Sequence, residues 1–211
     1  ADKAILYEGD TERMYLEYII KTNEKFKKLR QSYIAYIQVG GAYAHKYKKI
    51  LTTLKIPTLI LTDIDYPVDC NSKKEVLESN STNAVFNNFF EVKEVKYIFQ
   101  KIKSEDDKIK IATQGLKEGF ARTLEEAMFY RLGINMFDRY SKQDWAEFRS
   151  KSELKFSIPQ KGNCFNSRDI VNCSEKKKVD FMYSVISAGL HEHALPSYIE
   201  EGLEWIQQET I

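Results

Sequence analysis

Apolar residues fall into two alternating rhythms along the first third of this chain. Residues 3–7 make a short, largely apolar run suited to a buried strand, and 11–29 follow with Met14, Leu16, Tyr18, Ile19, Ile20 and Phe26 spaced as on one side of a helix. The pair then repeats. Residues 32–39 are a β-type run closed by Gly40-Gly41, 42–54 read as a helix that stops before Ile56-Pro57, and 58–62 are a third apolar strand. Strands separated by helices long enough for a crossover predict an α/β fold, a parallel central sheet with helices on its faces. In such sheets ligands collect beyond the carboxyl ends of the strands.

Past Pro67 the alternation weakens. Residues 69–83 are polar and turn-rich, 84–103 are helical or mixed, 108–113 form a fourth strand, and 124–137 a helix. A helical region resumes at 145–151, 155–174 read as irregular, and 175–188 and 197–208 close the chain as helices. Neither an internal repeat nor a low-complexity linker interrupts the sequence. The expectation is therefore one domain over 1–211, with its core at 1–66 and 108–135, a mostly helical insertion at 67–107 and a C-terminal part at 136–211.

Composition changes this picture little. With 43% hydrophobic and 30% charged residues, nine Gly and four Pro, the chain has the make-up of a folded domain with a real core. No apolar run approaches the roughly 20 residues that cross a bilayer, and the opening Ala1-Asp2-Lys3 lacks a signal-peptide layout, so a cytoplasmic protein without membrane contact is expected. Cys70, Cys164 and Cys173 form no C-x-x-C pair, which argues against a disulfide framework or a zinc site. The net charge of +1, from 32 basic and 31 acidic residues, gives no overall argument for nucleic acid. Basic residues do cluster at 25–30, 46–49, 93–103 and 176–178, each cluster by itself a solvated helix face.

Acids at strand ends carry the chemistry. In Glu8-Gly9-Asp10-Thr11-Glu12, the glycine lets the backbone turn after the strand, and Asp10 or Thr11 can cap the helix that follows. Glu12 has the ordinary reading of a first-turn acid favoured by the helix dipole. Glu8 is harder to explain that way, because a carboxylate closing a buried strand costs free energy unless paired or bound to a cation. After the third strand, Asp63-Ile64-Asp65 places two carboxylates two residues apart, on one side if the segment stays extended. Carboxylate oxygens are the ligands that hard divalent cations take.

The runs Ile5 to Glu12, Val39-Gly40-Gly41 and Leu61-Thr62-Asp63-Ile64-Asp65 together resemble the TOPRIM pattern of a first-strand glutamate followed by a D-x-D. Thr82-Asn83, Ala112-Thr113-Gln114, the segment from Gly119 through Arg122-Thr123-Leu124-Glu125-Glu126 to Ala127, and Lys176-Lys177-Lys178-Val179-Asp180-Phe181 resemble the longer version found in OLD-family (overcoming lysogenization defect) and Gabija-type endonucleases. The resemblance spans nearly the whole chain in order. It implies a TOPRIM, Rossmann-like fold and a DNA endonuclease or nickase of an anti-phage defence protein. It also implies two Mg²⁺ or Mn²⁺ ions held by Glu8, Glu12, Asp63, Asp65 and Glu125, with Glu126 the neighbouring alternative to Glu125. Glu8, Asp63 and Lys178 become the catalytic positions, with Lys176 and Lys177 the neighbouring alternatives for the late lysine. Lys176, Lys177 and Arg122 become nucleic-acid contacts. Two metals some 3.5–4 Å apart would activate a water, offset charge on the phosphate and stabilise the leaving oxygen. The family joins this domain to an N-terminal ATPase, whose G-x-x-x-x-G-K-[ST] loop is absent from this sequence. An ATPase domain or partner, a helicase partner and homo-oligomers are the implied company.

Other readings compete. A haloacid-dehalogenase phosphatase would use Asp63 as nucleophile and Asp65 as acid/base, but that D-x-D normally follows a first strand, whereas this one follows the third and meets Pro67. A degenerate TOPRIM scaffold that only binds DNA or a partner is the non-catalytic alternative, and a receiver-like signalling domain is disfavoured by the excess of acids. His191-Glu192-His193 lacks further ligands for a metal, and His45, after Gly40-Gly41, is either near a phosphate or a solvated helix residue. The aromatic residues, 13% of the chain, are read as core.

Overall fold

The computed structural model describes residues 1–40, 42–102, 108–174 and 177–209. Among these, β1 (Lys3–Tyr7), β2 (Ile34–Gln38), β3 (Thr58–Leu61) and β4 (Ile109–Ala112) form a parallel sheet in the order β2-β1-β3-β4. The chain steps outward from β1 to β2, then returns across β1 to build β3 and β4. This reversal makes the gap between the carboxyl ends of β1 and β3 the topological switch point, where open α/β sheets hold their ligands.

The reversal also sends the connecting helices to opposite faces, and side-chain alternation along the strands follows it. Ile5 and Tyr7 pack with Tyr15, Leu16 and Ile19 of α1 (Asp10–Thr22), whereas Ala4 and Leu6 join Leu51 of α2 (Lys48–Leu54) on the other side. The second face is completed by α3 (Lys73–Glu78), α4 (Ala84–Phe90) and α5 (Val95–Lys101), which supply Val76, Val85, Phe86 and Ile98. The first face is closed by α6 (Leu124–Arg131), α9 (Lys178–Ser187) and α10 (Ser197–Gln208), with Phe129, Phe181 and Leu203 in the same core. A two-stranded antiparallel pair, β5 (Tyr140–Ser141) and β6 (Cys164–Phe165), stands beside α7 (Lys142–Ser152) and α8 (Ser167–Cys173). Among the described residues no helix is long and apolar enough to cross a membrane.

Local chemistry explains where the elements differ from expectation. The helix expected over 11–29 stops at Thr22, because Asn23 turns extended and its side chain accepts from Lys25 N, starting a 3-10 turn. The helix expected over 42–54 divides into a 3-10 turn (Ala44–Tyr47) and α2. Two short helices fall in segments expected to be turn-rich (69–83) or irregular (155–174). Ser72 caps α3, and Asn166 with Asp169 makes the capping box of α8. Lys3 is buried in β1, and its ammonium donates to the terminal carbonyls of α10 at Ile206 (2.6 Å) and Glu209, which offsets its desolvation.

Two glycines permit close approaches that shape the site. Gly202 lets α10 lie on the sheet, where a Cβ would meet Leu59 Cδ1 at 2.9 Å. Gly119 has φ +58°, and a Cβ there would strike the Tyr130 ring. Gly119→Ala is expected to cost about 2–4 kcal/mol through left-handed strain and overpacking, read as a lowered urea midpoint. A midpoint within error of the wild type would contradict this packing.

Candidate functional site

All four parallel strands deliver polar or flexible residues to one edge. β1 ends at Glu8, β3 runs into Thr62 and Asp63, β4 into Thr113 and Gln114, and β2 into Val39 and Gly40. Glu8 and Asp63 therefore meet at the switch point. A Glu8 oxygen accepts from the Thr62 hydroxyl at 2.5 Å and from Asp63 N at 3.2 Å. Asn83 braces this contact, its amide donating to Thr62 Oγ1 and Asp63 O, both at 2.7 Å.

Glu12 combines the two roles weighed for it. Its Oε2 reaches back to accept from Glu8 N at 2.6 Å and Gly9 N at 3.3 Å, as a capping acid does, while standing among the other carboxylates. Leu16, Leu61, Leu124 and Ile199 lie beneath it and Asp63. Burial on that apolar floor is the main reason its carboxyl is pushed up to about 7, and the charges of Glu8 and Glu125 push the same way. Asp63 is raised well above the usual carboxylate range, by burial first and then by the negative charges of Glu8, Glu12, Glu125 and Asp65. Burial likewise raises Glu8 and Asp65. Five carboxylates thus feel one another at a single sheet edge.

The D-x-D segment is not extended. β3 ends at Leu61, and Asp65 adopts φ +48°, a left-handed conformation that Asp tolerates. Asp63 consequently faces inward, accepting from Gln114 Nε2 at 2.6 Å. Asp65 instead pairs with the Arg122 guanidinium at 3.1 Å, and that same group donates to Tyr66 O at 2.6 Å. Arg122 is thereby tied to the loop carrying Asp65.

Thr123 caps α6, whose first turn presents adjacent acids with different neighbours. Glu125 pairs with Lys178 at 3.3 Å, in a crevice lined by Phe129, Phe156 and Phe181. Glu126 turns away, 1% exposed, to Arg168 at 3.4 Å and to Arg122 N at 2.9 Å. Of the two, Glu125 lies with the cluster. Lys178 begins α9 and exposed Lys177 precedes it, while Lys176 lies outside the described residues.

Gln114 escaped selection as a site residue on sequence grounds. It is fully buried, and besides Asp63 its amide donates to Tyr198 OH at 3.2 Å, while its carbonyl accepts from Ile64 N at 3.0 Å. The signal was its position directly after the fourth apolar strand, the rule that selects Glu8 and Asp63. Tyr198, from α10, could not be found by proximity in sequence. Its phenol, which accepts from Gln114, is raised well above its ordinary value by burial and by the nearby acids, and so stays neutral.

Among the described residues, no three His, Cys, Asp or Glu side chains are gathered closely enough to hold an ion as they stand. Each acid is met from within: Glu8 by Thr62, Glu12 by the turn amides, Asp63 by Gln114, Asp65 by Arg122 and Glu125 by Lys178. Three of these five partners are neutral, and the carboxyls of Glu8, Glu12, Asp63 and Asp65 stay raised, by burial first and, for Glu8, Glu12 and Asp63, by neighbouring acids as well.

A parallel β2-β1-β3-β4 sheet, with a glutamate closing β1 and a D-x-D closing β3, defines a TOPRIM fold. The C-terminal region of the Burkholderia pseudomallei OLD protein has this fold, with a TM-score of 0.56 at 20% identity, covering 98% of this chain and 97% of that one. Residues 1–65 match the family model for the overcoming lysogenization defect protein-like TOPRIM domain, so the first third of the chain is similar to the TOPRIM part of OLD-like proteins. It is also 28% identical, over 98% of its length, to Endonuclease GajA of Bacillus cereus (strain HuB5-5). The chain spans about a third of that relative, 31% of its length.

Proposed function

We propose that this domain is a DNA endonuclease or nickase that hydrolyses phosphodiester bonds with two divalent ions, Mg²⁺ or Mn²⁺, as the nuclease part of an OLD-type defence protein. The observation that carries this reading is the convergence of Glu8, Glu12, Asp63, Asp65 and Glu125 at the switch point, where only Asp65 and Glu125 have a cationic partner and Glu8, Glu12 and Asp63 are buried within reach of one another's charge. An all-oxygen, polyanionic donor set fits hard divalent cations. These five acids would hold the ions, which supply water activation and charge neutralisation at the phosphate when bound.

The chain's own groups do the rest. Thr62, Asn83 and Gln114 orient Glu8 and Asp63 through the hydrogen bonds described above, so that neither carboxylate must reorganise freely. Lys178, seated against Glu125, directs a fixed positive charge toward the scissile phosphate, and exposed Lys177 adds a contact to the backbone. Arg122 holds Asp65 and screens it. The ATPase portion, a helicase partner and homo-oligomerisation belong to the larger protein that the resemblance implies, and an intracellular location accords with a DNA target.

Purified protein is expected to nick or linearise supercoiled plasmid with Mg²⁺ or Mn²⁺ and to stop with chelator; Glu8→Ala at wild-type rate would overturn the assignment. Lys178→Ala is expected to lower turnover by about 10²-fold with little change in metal affinity, and Lys177→Ala to act mainly on DNA affinity. The reverse ranking would reassign the late lysine.

A second reading, a non-catalytic TOPRIM-like module that binds DNA, is favoured by the internal partner that each acid already has. It predicts duplex binding with no metal-dependent cleavage.

A further inference from the structure

Between Arg30 and Asp63 the sequence contains no Asp or Glu, although the chain as a whole has 31. That stretch holds β2, the loop beyond its carboxyl end, the 3-10 turn and α2. The near-neutral total of the whole chain thus conceals a segregation of charge, with acids gathered at the switch point and a segment whose only charged side chains are lysines next to it.

The cations share one surface. Lys46, Lys48 and Lys49 are exposed, and with His45, Thr52 and Thr53 they line a shallow concavity. Hydrogen bonds order its rim: the Thr52 and Thr53 hydroxyls donate to Lys48 O and Lys49 O, both at 2.8 Å, and His45 Nδ1–H donates to Ala42 O at 2.9 Å. Lys48 donates to Asn88 O at 2.8 Å, which steadies its stem against α4. The Lys46 ammonium sits 4.2 Å from the ring centroid of Tyr43, a residue 52% exposed.

Placement connects this surface to the acid cluster. Tyr7 pairs with Gln38 in the sheet register, so Glu8 stands level with Val39, and the chain leaving β2 departs from the edge that carries Glu8, Asp63 and Gln114. A phosphate backbone approaching five carboxylates is repelled unless positive charge flanks them. Ammonium groups without acids among them supply sequence-independent phosphate contacts, and an exposed aromatic ring beside them offers a stacking or sugar contact.

We propose that Tyr43, Lys46, Lys48 and Lys49 form a second DNA contact, a track for the duplex backbone flanking the strand held at the acid cluster. The proposal rests on the nuclease reading for its substrate class. The test is fluorescence anisotropy of a short labelled duplex across a salt series, in the Asp63→Asn background so that the duplex stays intact. Lys46→Glu/Lys49→Glu is compared with Lys27→Glu/Lys28→Glu, an equal charge change on exposed residues at the opposite, amino edge of the sheet. The first pair is expected to weaken binding by about 10-fold or more and to flatten the log–log salt slope by about two, while the control pair changes affinity by less than about 3-fold. The neutral pair Lys46→Gln/Lys49→Gln, which keeps the aliphatic stems, should show the same flattening with a smaller loss. Equal losses from both reversed pairs would reduce the effect to net charge and overturn the track. Unchanged binding by the first pair would overturn it alone, and failure of the Asp63→Asn parent to bind any duplex would overturn the nuclease reading with it.

Discussion

Asp63→Asn is expected to abolish cleavage, by about 10³-fold or more, and at the same time to make the metal-free protein more stable. Both effects come from one cause. Asp63 is the acid that the other four press upon, and burial already disfavours its charged form. Asparagine keeps an oxygen for the Gln114 amide while removing the charge. A carboxyl whose folded value is raised contributes stability that is fully present below its unfolded value and is lost as pH rises through the folded one. Glu12 sets the window: its ordinary value is 4.5 and its folded value about 7. The chelated wild type should therefore lose thermal stability between about pH 4.5 and 7, and the Asp63→Asn protein should lose less. Added Mn²⁺ or Mg²⁺ should raise the wild-type Tm at pH 8 by several degrees, more than at pH 5.5 where protons compete, and should raise that of the variant little. Differential scanning fluorimetry with and without chelator reads all of these. A variant that melts below the wild type in chelator would mean that the cluster is not electrostatically strained.

The second large effect lies behind the site. Arg168→Ala is expected to cost about 3–5 kcal/mol, because it strands a buried carboxylate. The Arg168 guanidinium meets Glu126 at 3.4 Å and donates to Val68 O at 2.6 Å, Cys70 O at 3.1 Å and Tyr66 OH at 2.8 Å. Tyr66 OH in turn donates to Phe120 O. One side chain on α8 therefore ties the segment after the D-x-D to the helix carrying Glu125. Adding Glu126→Gln removes the stranded charge and should recover part of the loss, a coupling that a double-mutant cycle in urea measures directly. Arg168→Ala within 1 kcal/mol of wild type would show that the node contributes no more than an exposed pair.

That node also separates two acids the sequence presents as equals. Glu125 and Glu126 are adjacent in one helical turn, and no rule of spacing chooses between them. The choice comes from Arg168, 42 residues away, which takes Glu126 and leaves Glu125 beside Lys178. Gln114 and Tyr198 show the same limit, since their meeting at Asp63 joins β4 to α10 across 84 residues.

The strand–helix alternation, the parallel sheet and the acids at the ends of β1 and β3 were determined by the sequence alone, because strand burial and helical periodicity are local and crossover rules allow few ways to join them. Tertiary structure decided the partners. It bent the D-x-D at Asp65 toward Arg122, turned Glu126 inward, and brought Gln114 and Tyr198 to Asp63. Those outcomes depend on distances through space between residues far apart in the chain, and on the desolvation that close packing imposes. Neither quantity is written in any short stretch of sequence.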